Sequence, residues 1–185
     1  VAFSDLGEKA KLTRPEFFNP AGSNNASNGS NFLYSVLTTP ANNTLLRNPV
    51  TTITLLENQL RLRAVEDYER TSARKLSASE YTFSPQLGYI SLNQALKPNE
   101  VLGVAVEYTI NGQVFQLGEF ADGVTPSTDT ANVRDKVLVL KMLKATSIRT
   151  ALPIWDLMMK NIYPLNAYQI SSDKFMLDIY YRDPG

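Results

Sequence analysis

The chain has 185 residues, with 18 basic and 18 acidic side chains, no cysteine and no histidine. Balanced charge argues against nucleic acid and anionic membrane as partners, because both recruit a basic surplus. The missing residue types remove disulfides, thiol nucleophiles, iron–sulfur ligation, thiolate zinc sites, histidine triads and histidine-bound metals, so no cofactor is expected. A mass of 20.6 kDa and a hydrophobic fraction of 43% suit one substantial domain, able to bury roughly 70% of its extended surface without a metal or a disulfide.

Val1-Ala2-Phe3 opens the chain with neither an initiating Met nor a leader pattern, and Asp183-Pro184-Gly185 closes it on a turn signal. Both ends read as cuts, so a longer parent protein is expected. No run of about 18 apolar residues could cross a membrane as a helix. Residues 1 to about 50 read as irregular. Within them Asn19 to Asn31 is dominated by Asn, Ser and Gly, which predicts a loop or mobile linker with little to bury. Three sequons, at Asn25, Asn28 and Asn42, are what so Asn-rich a stretch produces by chance. Phe32 to Leu37 reads as a short docking strand.

Residues 51–185 read as a mixed α+β domain, mainly an antiparallel sheet of five or six strands with two short helices packed on it. Thr51 to Arg63 is ambiguous: β-branched residues at its start favour strand, and Leu60 and Leu62 alternate with Arg61 and Arg63. Val65 to Leu76 predicts a short helix, acidic at its start and basic at its end, as the helix dipole prefers. Tyr81-Thr82-Phe83 and Tyr89 to Leu92 predict two strands, broken by Pro85 and Gly88.

Val101 to Ile110 and Gln113 to Phe120 alternate on either side of Asn111-Gly112, which predicts a two-residue type I′ hairpin. Its register pairs Ile110 with Gln113, Tyr108 with Phe115, Val106 with Leu117 and Val104 with Glu119. The face bearing Leu102, Val104, Val106, Tyr108, Ile110, Phe115 and Leu117 should lie on the core. Val137 to Leu143 predicts a buried strand. Pro153 should open a helix running to Ile162, and Phe175 to Tyr181 a last strand.

Catalytic signatures are sparse. No phosphate loop, dinucleotide turn, calcium loop, zinc-protease helix or serine elbow occurs. Glycosidase chemistry needs only two carboxylates, for which Glu107, Glu119 and Asp178 are the candidates, and a strand carboxylate more often pairs with Arg. No catalytic, cofactor or metal residue is therefore assigned. Arg61-Leu62-Arg63 and Arg74-Lys75 are the only hints of a basic patch. The aromatic residues could stack sugars, but a core or cross-strand pair accounts for most of them, Tyr108 and Phe115 included. Trp155 and the methionines beside it read as core.

A set of motifs carries more information. These are Ala73 to Leu76, Ser79-Glu80-Tyr81, Pro85 to Asn93, Glu100-Val101-Leu102, Glu107-Tyr108-Thr109, Asn111-Gly112, Gly118-Glu119-Phe120, Leu152 to Asn161 and Leu177 to Tyr181. Together they resemble the SprA/Sov family, the very large outer-membrane gliding-motility and secretion proteins of the Bacteroidota. The resemblance covers about residues 50–185 and carries no catalytic pattern. It implies a non-catalytic structural or protein-contacting domain of a type IX secretion translocon, at the outer membrane or cell surface, in a periplasmic or extracellular part. Its partners would be the rest of its own chain, secretion components or cargo. A cell-surface adhesin or carbohydrate-binding module is the alternative, and a glycosidase-type enzyme with paired carboxylates a second.

Overall fold

The computed structural model describes residues 1–123, 137–160, 169–171, 173–178 and 180–183. An apolar run buried on both faces needs cover on both sides, and the run beginning at Val137 receives it. Its strand forms over Leu140–Lys144 and lies inside a four-stranded sheet with Ala2–Phe3 (β1), Tyr68–Glu69 (β2) and Leu102–Val104 (β5), in the order β2-β1-β8-β5. The strand Leu140–Lys144 is β8. It runs parallel to β1 and antiparallel to β5. Val139 joins the larger apolar cluster, with Phe3, Leu6, Phe17, Leu33, Leu37, Leu46, Leu55, Leu56 and Tyr68. Met142 joins the smaller one, with Ala2, Ala145, Leu152 and Ile154. The fold is α+β as expected, but among the described residues eight strands form three sheets with one parallel pairing rather than a single antiparallel sheet.

The first fifty residues, expected to be irregular, supply a central strand and two helices, Leu33–Leu37 (α1) and Pro40–Arg47 (α2). The expected strand at Phe32 to Leu37 is α1. The Asn31 side chain accepts a bond from the Leu33 amide at 3.0 Å, satisfying a first-turn donor, and Leu33 and Leu37 are buried one turn apart. Pro40 opens α2, where its missing N–H costs nothing. Of the two expected forms, the Asn-rich segment takes that of a loop, hydrogen-bonded to the body of the fold. Ser30 and Asn31 are buried, the Asn28 amide donates to the Gln116 carbonyl at 2.8 Å, and the Asn28 side chain bonds both to the Gly118 amide and to its carbonyl.

Thr51 to Arg63 resolves toward helix, as a π-type turn over Thr54–Gln59 that buries Leu55 and Leu56. The expected helix at Val65 to Leu76 does not form. The Asp67 carboxylate accepts from the Arg63 amide at 2.7 Å, tightening a turn that delivers Tyr68 to β1 and to burial. Charge placement favoured a helix there; burial of Tyr68 outweighed it. At Pro153 the expected helix is a 3-10 turn, Pro153–Leu157, and the remainder of that run, from Asn161, lies outside the described residues. Phe175 to Tyr181 makes no ladder among its described residues.

The predicted hairpin forms, and the two strands expected at Tyr81 and Tyr89 pair into a second one. Tyr81–Ser84 (β3) pairs with Tyr89–Leu92 (β4), and Val106–Ile110 (β6) pairs with Gln113–Leu117 (β7). The β6–β7 hairpin has the expected register from Ile110↔Gln113 to Val106↔Leu117, and Asn111 and Gly112 take φ values of 51° and 79°, as a type I′ turn requires. The register fails only at Val104, expected opposite Glu119. Gly118 turns the chain at φ 75°, so the Glu119 amide donates to the Val139 carbonyl instead and Val104 pairs with Lys141.

Candidate functional site

The three candidate carboxylates lie in unlike surroundings. Glu107 and Asp178 are exposed. Glu119 is 6% exposed, and both of its oxygens are committed. Arg47 donates to Oε2 at 2.7 Å and to Oε1 at 2.6 Å, the Tyr34 hydroxyl donates to Oε1 at 3.0 Å, and the Val139 amide donates to Oε2 at 2.9 Å. A forked guanidinium pair of this kind fixes geometry: here it clamps α1 and α2 to the segments flanking the sheet. Burial, reinforced by the Glu119 charge, pushes the Tyr34 phenol up to about 12.

A second polar knot was missed in the sequence reading. Lys141 is 3% exposed and contacts Glu8 Oε1 and the Ser4 carbonyl. Asp5 sits beside the pair, its own oxygens accepting from the Thr13 hydroxyl at 3.0 Å and the Arg14 amide at 2.8 Å. Asn31 donates to the backbone carbonyls of Asp5 and Glu8. The available signal was the lysine inside the otherwise apolar run Val137 to Leu143.

The surface that stands out runs from residue 69 to residue 114. It carries β3, β4, β5 and β6, yet none of its residues is buried. On the β3–β4 hairpin the register places Tyr81, Phe83, Ile90 and Leu92 on one face and Thr82, Ser84, Tyr89 and Ser91 on the other. The apolar face is incompletely covered: Tyr81, Ile90 and Leu92 are half-buried, Phe83 is 49% exposed and Leu87 at the tip 76% exposed. The hairpin base is tied by Arg74 and Glu80 in a two-pronged ion pair. That guanidinium and the Ser77 amide hold the Glu80 carboxyl down to about 2. A two-stranded hairpin is marginal alone in water, so a partner for this face would stabilise it. Met176, Tyr180 and Tyr181 near the C-terminal end are exposed as well.

Other sequence candidates are accounted for locally. Arg63 pairs with Glu66 and Asp67, and Arg74 with Glu80, so neither basic pair builds a free cationic patch. Tyr108 stacks on Phe115 at 5.5 Å between ring centroids, and Phe115 is buried, while Ile110, assigned to the same face, is 39% exposed. At the Pro153 turn the core residues are Leu152 and Ile154 rather than Trp155, which is half-buried and carries Lys160 over its ring at 5.0 Å. A cleft of about 350 Å³ is lined by Lys11, Thr13, Thr150, Leu152 and Asp156 among others, without an aromatic side chain. Among the described residues there is no helix long and apolar enough to cross a membrane and no acidic cluster arranged for a metal.

No family model and no curated protein matches the chain.

Proposed function

We propose that this chain is a non-catalytic, protein-contacting domain of a type IX secretion and gliding-motility translocon at the outer membrane. The observation that carries the protein-contacting role is the β3–β4 hairpin, which has no buried residue and leaves Phe83 and Leu87 49% and 76% exposed. Exposed apolar sheet faces mark interaction surfaces, and unpaired strand edges accept further strands. The translocon assignment rests on the resemblance to the SprA/Sov family. Several of its motifs, Ser79-Glu80-Tyr81 and Pro85 to Asn93 among them, fall on this hairpin. The partner is accordingly another part of the same long chain or a secretion component.

The test places photo-reactive residues at Phe83 and Leu87 in the full-length parent protein within cells. Cross-links to other parts of the parent or to identified secretion components are expected. Absence of cross-links at both positions, in a protein that still secretes, would overturn the reading. A sugar ligand that protects the same positions would establish the adhesin alternative instead.

A further inference from the structure

The contact between Lys141 and Glu8 is a poor fit for an ordinary ion pair. An ammonium brings three N–H donors, and Lys141, 3% exposed, finds two acceptors, the Ser4 carbonyl and Glu8 Oε1. The other carboxylate oxygen, Glu8 Oε2, is sealed from solvent with no hydrogen-bond partner. A buried ion pair offsets its desolvation only when the remaining protons and lone pairs are bonded, which is not so here. Asp5, the other carboxylate beside Lys141, is not a competitor, since Thr13 and the Arg14 amide occupy its oxygens.

We propose that the Lys141 amine and the Glu8 carboxyl condense into an intramolecular amide, a covalent staple between the N-terminal segment and β8. The product matches the site better than the pair does. An amide has one N–H, which the Ser4 carbonyl can accept, and one oxygen fewer to satisfy. The step balances. A proton passes from the ammonium to the carboxylate, the neutral amine attacks the carboxyl carbon, a C–N bond forms, a C–O bond breaks, and water leaves. The Glu8 side chain is 24% exposed, which leaves the water a way out. Burial lowers the Lys141 amine and raises the Glu8 carboxyl, each against the opposing pull of its partner; both shifts favour the neutral, reactive forms. The staple does not depend on the protein-contacting role.

Intact-mass spectrometry of the purified, folded chain reads the outcome directly. The expected mass is one water below that of the sequence, with a branched peptide joining Glu8 to Lys141 after digestion. Lys141→Arg should keep the full mass. Glu8→Gln should expel ammonia and converge on the same cross-linked product. A folded protein at full mass after prolonged incubation overturns the proposal. So does a water loss mapped to Asp122-Gly123, where a cyclic imide would have the same mass.

Discussion

Arg47 reaches from the last turn of α2 to Glu119, and a charge so placed is held by its partner rather than by solvent: the two side chains are 16% and 6% exposed. Its guanidinium also donates to the Val137 carbonyl at 2.5 Å. Removing one partner of a buried pair leaves the other uncompensated, at a cost of about 3–5 kcal/mol. Arg47→Met should therefore lower stability to urea by that order, while Arg74→Met, in an exposed pair, should change it little. Equal effects of the two substitutions would contradict the clamp. The sequence marked Glu119 as notable because a carboxylate stood in a strand-like run. Its partner lay 72 positions away, and spacing alone does not pair such residues.

The β6–β7 hairpin is the element the sequence specified most fully, because every determinant is local: the two-residue turn, the alternation and the register. Its two left-handed glycines differ in surroundings. A Cβ on Gly112 would meet nothing within 4 Å, whereas one on Gly118 would come within 3.0 Å of the Val104 carbonyl oxygen. Gly112→Ala pays only for its left-handed backbone, about 1–2 kcal/mol. Gly118→Ala adds the clash and should destabilise clearly more in the same urea titration. The elements the sequence misjudged were decided elsewhere. The expected strand at Phe32 to Leu37 coiled into α1, its first amide held by the Asn31 side chain, and Tyr68 was drawn into β2 by a partner strand at the far N-terminus.

At the scale of the whole molecule, burial is uneven: the two apolar clusters draw their buried residues from 2 to 68 and from 117 to 154, while no residue from 69 to 114 is buried. Local stability follows buried apolar contact, so amides of β3 and β4 should exchange with solvent far faster than those of β1 and β8 in the isolated chain. In the full-length parent they should become protected; unchanged exchange there would remove the case for a partner on this face. Composition and local pattern by themselves determined the mixed α+β class, the β6–β7 hairpin with its register, the strands β3 and β4, and the absence of thiol and imidazole chemistry, since each follows from residue type or from neighbours a few positions apart. The tertiary structure alone decided that Ala2–Phe3 sits between β2 and β8, that Arg47 meets Glu119, and that Lys141 lies against Glu8. Those pairings join residues 65 to 138 positions apart, and burial selects them only once the chain has closed on itself.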